Sequence, residues 1–448
     1  MVWYFFLNSI FFGILLIIQI TNFNNLNSDY LSLMYIILNI ICSILSRRLV
    51  FSIPVLIVRV TGFIRYFILA QLMANINYHD YNSTSFSLAL VELIAQYATF
   101  LYLSFFSNKK ERNHVEIQHI FPKFEMNFII KLLMTFVSIY FIYSPQLLLN
   151  FFSVSSNRHE YVHINGIVAL LYYVGIVCIF FKLLFFIHRL NISNFSKLNL
   201  IFLLVIIYIN GMALNGNEIS RWFIFITFLV MLHILHRLYF DNRVFVIVSI
   251  VSIFIVSIII GTMYKFRISA GQSYSWNETL ATIFSPVILN AYFSGPYNMN
   301  IIEDVIERIV TLDIFVPKIL ISDLFNNAPF LNKFLSDRLY TTVSLFNISF
   351  YSSTVATDQI IPLAGQLYVY FGWFFWIVTI ILTSLSIKLE KVAYKQKNIL
   401  LIYATMFLSV SLSLGNAINL IIMLQNLWIF VLPIIAVYFL DNRITFDR

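Results

Sequence analysis

Residues 1–20 read MVWYFFLNSIFFGILLIIQI and contain no charged side chain. Apolar runs of similar length recur along the chain, and a helix needs about 20 apolar residues to cross a bilayer. Charged residues are 11% of the 448, against about 25% in an ordinary globular protein. Hydrophobic residues are 60%, and mean hydropathy is +0.87. The sequence therefore predicts an all-α, polytopic membrane protein. We predict that residues 1–20 form the first span, because they show no basic flank or small-residue cleavage site of a signal peptide.

The apolar runs predict about twelve membrane-spanning helices. Their predicted bounds are residues 3–20, 31–46, 49–73, 85–106, 127–151, 165–187, 198–214, 220–239, 243–263, 361–387, 399–415 and 418–440. One long interruption, residues 264–360, separates the ninth run from the tenth. We therefore divide the chain into spans one to nine at 1–263, a large loop at 264–360, and spans ten to twelve with the C-terminus at 361–448.

Basic residues are concentrated in alternate connections between the spans. One set of connections and the C-terminus carry Arg47, Arg48, Lys109, Lys110, Arg112, Lys123, Arg189, Lys197, Arg237, Arg243, Lys388, Lys391, Lys395, Lys397, Arg443 and Arg448. The alternate short connections contain only Arg158 and Arg221. Because Lys and Arg accumulate on the cytoplasmic side, both termini are predicted to be cytoplasmic and the large loop to lie outside. Their placement beside spans also argues against nucleic acid as a partner.

The large loop contains one clear amphipathic segment, residues 300–310. Its apolar residues fall at helical spacing: Ile301, Ile302, Val305, Ile306, Ile309 and Val310. Glu303, Asp304, Glu307 and Arg308 lie opposite them. Asn300 followed by Glu303 predicts an N-terminal cap. We expect a short helix that lies on the membrane surface and shapes a cavity.

Two ionisable residues within predicted spans are the first functional candidates, because charge in hydrocarbon is costly. Arg65 and Glu92 are predicted at similar depths in the third and fourth spans. One reading has them paired with each other. The other has Arg65 contacting an anionic headgroup while Glu92 holds its guanidinium. Arg59 lies deeper in the third span and is less easily paired.

Further basic candidates stand at the predicted outer surface. Arg221 follows a short turn, GMALNGNEIS at 211–220, and is predicted to begin a helix, where free backbone N–H groups favour phosphate. Lys265 and Arg267 follow the ninth span and run against the positive-inside bias. Anion capture explains these residues, and so does anchoring at the membrane surface.

The sequence contains no clear motif for a disulfide, a metal site, a nucleotide site or a catalytic nucleophile. Cys42 and Cys178 both lie in apolar runs and offer no disulfide or metal spacing. The outer segment from Arg158 to His163 lacks the HExxH order of a zinc site. We find no P-loop, nucleophile elbow, dinucleotide fingerprint or DxD pair. We therefore expect no cofactor and no metal.

Residues 360–376, IIPLAGQLYVYFGWFFW, carry a resemblance to a known family. The segment resembles the tenth-span entry of Wzy-type O-antigen (oligosaccharide repeat-unit) polymerases. The matching positions are Pro362, Gly365, Gln366, Tyr368, Phe371 and Gly372. The number of spans, the late outer loop, the arginine after a Gly-containing turn and the basic residues at 265 and 267 agree with that family. Gln366 stands where the family more often has Glu.

The resemblance implies a metal-independent glycosyltransferase of the bacterial inner membrane. Such an enzyme moves a growing glycan from undecaprenyl diphosphate onto a lipid-linked repeat unit at the periplasmic face. Arg221 and Arg267 would stabilise the departing diphosphate, with Lys265, Arg65 and Arg59 as further diphosphate contacts. Asp358 and His163 are the candidate bases. Membrane lipids, a flippase and a chain-length regulator are the expected partners.

Three other functions remain open on the sequence. A lipid-linked oligosaccharide flippase would also have many spans and cavity arginines, but it needs no large outer loop. A secondary transporter would be expected to show interrupted spans in matching halves. An O-antigen ligase would use the same lipid-linked donor with a different acceptor.

Overall fold

The structure is a computed structural model that describes residues 2–24, 26–45, 52–75, 81–107, 122–143, 167–213, 221–238, 290, 293, 295–325, 328, 341–351 and 360–446. Regular structure in these residues is helical, apart from one isolated β-bridge between Lys123 and Asn398. The chain forms two compact units. The first comprises Met1–Glu116, Thr282–Glu390 and Ser409–Leu424, and the second comprises Ile117–Ala281, Lys391–Leu408 and Gln425–Arg448.

The described residues of the N-terminal part of the chain lie mostly in apolar helices. They are α1 (Val2–Thr21), α2 (Asn27–Leu45), α3 (Ile53–Gly62), α4 (Ala70–Asn75), α5 (Ser83–Ser107), α6 (Phe128–Tyr143), α7 (Ile167–Arg189), α8 (Asn194–Ala213) and α9 (Arg221–Leu238). A π-helical segment, Phe63–Leu69, joins α3 to α4 without interrupting the rod. In the first unit, α2 packs between α1 and α5.

Shorter helices follow in the large loop, and longer ones return after it. The loop contains α10 (Ile302–Thr311), α11 (Val316–Phe325) and α12 (Thr342–Tyr351), with a 3-10 turn at Pro296–Ile301. The last part of the chain contains α13 (Leu363–Phe371), α14 (Phe375–Lys395), α15 (Ile399–Ser413), α16 (Leu420–Asn426) and α17 (Leu432–Phe446).

The prediction of a multi-span membrane protein is confirmed. Six helical stretches in the described ranges are long and apolar enough to cross a membrane: 27–45, 53–72, 83–105, 170–189, 363–395 and 420–443. The shorter apolar helices lie at 10–21, 128–139, 195–205 and 399–413. Each predicted span except the ninth overlaps one of the helices above or α9. The ninth, at 243–263, lies outside the described residues.

The tenth predicted span, 361–387, is not one helix. It consists of α13, a 3-10 turn at Gly372–Phe374, and α14, which continues to Lys395. Gly372 has φ +55° and ψ −142°, a conformation that only glycine adopts readily. A residue in that conformation ends the helix, so the backbone turns there.

Several hydrogen bonds join pairs of segments that the distribution of basic residues predicts on the same side of the membrane. In the second unit, the Lys123 N–H donates to the Lys397 carbonyl at 2.7 Å, and Arg237 donates to the Ala393 carbonyl at 3.1 Å. In the first unit, the Asn27 amide donates to the Tyr81 carbonyl at 2.8 Å. Each of these contacts joins two segments predicted on the same membrane face.

The amphipathic helix is confirmed, but its cap is not. Ile302, Val305 and Ile309 of α10 are buried. The helix packs on α12 and α13, so these three residues lie against protein, whereas Val310 is exposed. Its N-cap residue is Ile301, with no side-chain cap. The side chains of Asn300 and Glu303 instead form hydrogen bonds with residues outside α10.

Those two side chains fasten the large loop to the start of α5. The Asn300 side-chain oxygen accepts a hydrogen bond from the Asn82 N–H at 3.2 Å. Glu303 accepts one from the Thr84 hydroxyl and another from the Asn82 amide at 3.3 Å. These tertiary partners compete with the local cap and replace it.

Candidate functional site

Four polar side chains meet where the large loop contacts the segment 360–376. They are Asp323 of α11, Thr342 of α12, and Gln366 and Tyr370 of α13, and we call them the Asp323 cluster. Asp323, Thr342 and Gln366 are buried. Gln366 and Tyr370 are one helical turn apart, so they present both polar groups on the same face of α13.

Asp323 is the common acceptor of this cluster. The Thr342 hydroxyl donates to its carboxylate at 2.6 Å, and the Thr342 N–H donates at 3.2 Å to the same oxygen. The Tyr370 hydroxyl donates to it as well. Gln366 donates through its amide at 3.4 Å. A buried carboxylate with several donors is stabilised in place.

Gln366 connects the Asp323 cluster to α16. Its amide nitrogen donates to the Thr342 hydroxyl at 2.7 Å and to the Tyr370 hydroxyl at 2.9 Å. Its carbonyl oxygen accepts from the Leu420 N–H at 2.8 Å, at the first residue of α16. A glutamate could accept from Leu420 but could not donate to Asp323. The amide therefore suits this position because one residue must donate and accept at once.

Burial is the main influence on the acidity of Asp323. It raises the pKa of this carboxyl above its usual range, while the hydrogen bonds from Thr342, Tyr370 and Gln366 oppose that rise. The group lies in a loop helix, outside the apolar helices long enough to span a membrane. It can therefore bind a proton more readily than an exposed aspartate.

Gly365 is a point of close approach between the loop and α13. A Cβ at this position would lie 2.5 Å from Cδ1 and 2.7 Å from Cγ1 of Ile302. Real carbon atoms do not approach so closely, so only glycine admits the observed packing of α10. Pro362 is buried and precedes α13, and the ring centre of Tyr368 lies 5.2 Å from that of Trp373. These sequence-predicted motif residues thus shape and bury α13.

Arg65 and Glu92 are paired. The Arg65 Nη1 lies 3.3 Å from the Glu92 Oε2, and both side chains are buried. Tyr66 donates a hydrogen bond to the same carboxylate oxygen, and the guanidinium lies over the Tyr66 ring at 4.9 Å. Of the two readings of this pair, the structure supports mutual pairing. Breaking a buried pair from one side leaves an uncompensated charge, at a cost of about 3–5 kcal/mol.

Arg59 is held by neutral groups as well as an aromatic ring. Its Nε donates to the Asn39 side-chain oxygen at 2.8 Å, and its Nη2 donates to the Ser43 hydroxyl at 2.9 Å. Its guanidinium lies 5.6 Å from the Phe12 ring centre. These contacts tie α3 to α1 and α2. Arg59 is buried, so a role for it in diphosphate binding would require this packing to open.

Several predicted site residues fall outside the described part of the chain. These are His163, Lys265, Arg267 and Asp358. Arg221 is described only in its backbone, where it is the first residue of α9, as the sequence predicted. Among the described residues, no group of three His, Cys, Asp or Glu side chains could hold a metal ion.

The sequence reasoning missed Asp323 and Thr342. Asp323 lies in KILISDLF, 318–325, where a lone acid interrupts an apolar helix. Arg65 and Glu92 were candidates because a charged residue interrupts an apolar helix, and Asp323 shows the same pattern. The pattern is uninformative in a loop predicted to lie outside the membrane, because acidic residues are common there. Tyr370 lay within the quoted motif segment without an assigned role.

The apolar helices and their packing define a polytopic α-helical membrane protein. Comparison with known proteins does not assign the chain to a family. No protein-family model matches the chain, and no curated protein and no solved structure is significantly similar to it.

Proposed function

We propose that this protein is a surface-polysaccharide polymerase of the O-antigen type. It transfers a growing glycan from undecaprenyl diphosphate onto a lipid-linked repeat unit at the periplasmic face of a bacterial inner membrane. The large loop lies outside, and both termini are cytoplasmic. The proposal rests on the resemblance at residues 360–376 and on the overall arrangement of spans and loop.

One structural observation supports this proposal most. The large loop is fastened to the resembling segment, through Gly365 against Ile302 and through Gln366 to Asp323. A polymerase must keep two lipid-linked glycans in a fixed relation at the membrane surface. A loop that is packed onto the spans can hold such substrates, whereas an unattached linker could not.

The chemistry needs stabilisation of a departing lipid diphosphate. Negative charge develops on that group as the bond between the anomeric carbon and the diphosphate oxygen breaks and the acceptor hydroxyl oxygen forms the new glycosidic bond. Fixed guanidinium groups stabilise this charge without a metal. Arg221 begins α9, whose N-terminal N–H groups add partial positive charge. We assign Arg221 and Arg267 to the diphosphate, with Lys265 beside Arg267. The acceptor hydroxyl loses its proton to Asp358 or His163.

The glycan profile of a deletion strain tests this function. Loss of the polymerase should leave surface lipid that carries a single repeat unit. Loss of a flippase or of a ligase should instead leave no repeat unit on the surface. Single lipid-linked units trapped at the inner face of the mutant membrane would contradict the proposal.

A further inference from the structure

The helical stretch from Leu363 to Lys395 is too long for one bilayer crossing. It contains 33 residues, which correspond to about 50 Å of helix at 1.5 Å per residue. The hydrocarbon core is only about 30 Å thick. Even a straight rod tilted by about 40° would extend about 38 Å along the membrane normal. A straight helix of this length would therefore project from the hydrocarbon at one end, so the position of the break at Gly372 decides which part spans.

The break at Gly372 separates a long apolar helix from a short one. Helix α14 has 21 residues, and its part from Phe375 to Ile387 carries no charged side chain. The first exposed lysine of α14, Lys388, follows Gly372 by about 24 Å of helix, and its side chain can reach further toward water. Helix α13 has nine residues and is too short to cross.

The two helices also differ in what covers their surfaces. From Leu363 to Leu367 every side chain of α13 is buried. In α14, Ile377, Ile381 and Leu385 are each more than 40% exposed and lie four residues apart. They form one apolar stripe along the helix, as expected of a surface that faces lipid.

Large aromatic side chains are exposed at the junction of these helices. Phe371, Trp373, Phe374 and Trp376 are 40%, 51%, 69% and 41% exposed. Aromatic residues, Trp above all, collect where the bilayer meets water. This group adjoins the start of the stripe on α14, because Trp376 and Ile377 both lie in the first turn of that helix.

We propose that these four aromatic residues dock in the lipid headgroup region, and that the membrane surface on the loop side lies at Gly372. Helix α13 then stands above the hydrocarbon as part of the cap formed by the large loop. This moves the predicted boundary of the tenth span from residue 361 to residue 372. The Asp323 cluster lies on the aqueous side of that surface, whatever reaction the protein performs.

Cysteine scanning in intact membranes tests this placement. Single cysteines are introduced as F371C, I377C and I381C, with K318C on the exposed side of α11 as the reference. The native Cys42 and Cys178 are fully buried, and the parent protein measures their background. A charged maleimide is applied from the face at which K318C is labelled. Maleimide reacts with the thiolate, which forms in water and not in hydrocarbon.

We expect F371C to be labelled, more slowly than K318C, and I377C and I381C to react at least about tenfold more slowly than F371C. If I377C does not reach the membrane, W376C replaces it as the shallow position, with an intermediate rate expected. Absence of F371C labelling beside a labelled K318C would overturn the proposal. Labelling of I381C as fast as F371C would overturn it as well.

Discussion

Gln366 donates a hydrogen bond to the carboxylate of Asp323, and both side chains are buried. The two residues are 43 positions apart, and the contact joins the large loop to α13. Gln366 holds α16 at the same time through the Leu420 N–H. With its bond to Thr342, this one amide connects four helices, α11, α12, α13 and α16.

Replacement of this amide by a carboxylate should destabilise the first unit. Gln366→Glu removes the donor to Asp323 and places two carboxylates in one buried site. We expect a loss of about 1–3 kcal/mol, the usual cost of an unsatisfied buried polar group. The measurement is the temperature at which the detergent-solubilised protein loses its monodisperse peak.

The matched control for this variant exchanges the carboxylate and the amide between positions 323 and 366. The double variant Gln366→Glu with Asp323→Asn again has one carboxylate and one amide, so it should recover part of the loss. A double variant no more stable than Gln366→Glu would show that the contact contributes nothing.

The stability of the protein should depend on pH through Asp323. Burial raises the pKa of this carboxyl in the folded state, so the folded protein binds the proton more tightly than the unfolded chain. The contribution of the group is fully present below its ordinary pKa of about 3.9 and is lost as pH rises through the raised pKa. Wild type should therefore lose stability with rising pH more than Asp323→Asn. Parallel melting curves for the two proteins across mildly acidic to neutral pH would contradict this direction.

Gly365 should tolerate no side chain while Ile302 keeps its full length. In Gly365→Ala the new Cβ would lie 2.5 Å from the Ile302 side chain, and overpacking of this kind costs about 1–3 kcal/mol. Shortening the neighbour in Gly365→Ala with Ile302→Ala should remove the clash. Gly13→Ala is the matched control, because no atom lies within 4 Å of a Cβ there. Equal melting temperatures for Gly365→Ala and Gly13→Ala would show that the close approach is unimportant.

The general fold was accessible from the sequence because membrane spans are encoded locally. Length and hydropathy are enough to find a helix that crosses lipid, and α1, α5 and α7 appear close to their predicted bounds. The amphipathic α10 was predictable for the same reason, since its pattern lies within ten residues.

The Asp323 cluster could not be predicted in this way. Asp323, Thr342 and Gln366 come from three helices, and their meeting depends on how the loop folds back onto α13. The cap at Asn300 was wrong for a related reason: a local motif competes with tertiary partners at Asn82 and Thr84 that no local pattern contains. The break at Gly372 was missed because hydropathy continues without interruption through FGWFFW at 371–376.

Arg221 and Arg267 should be needed for polymer formation and not for folding. If they contact the departing diphosphate, Ala at either position should reduce polymer by about 10²–10³ fold at unchanged protein level. Lys keeps the charge but loses the planar guanidinium, so Arg→Lys should retain only a minority of activity. If these arginines only anchor the surface, Lys should substitute freely. The comparison is made on long-chain glycan in the deletion strain, with Lys397→Ala, in a predicted cytoplasmic connection, as the control.

The most direct measurement of the proposed function uses the purified full-length protein in liposomes. Lipid-linked repeat units are supplied on the accessible face, and glycan length and released lipid diphosphate are measured together. The account predicts glycans of two or more repeat units, with one lipid diphosphate released for each bond formed. Repeat units that cross the bilayer, or remain single, without release of lipid diphosphate by an active preparation would contradict it.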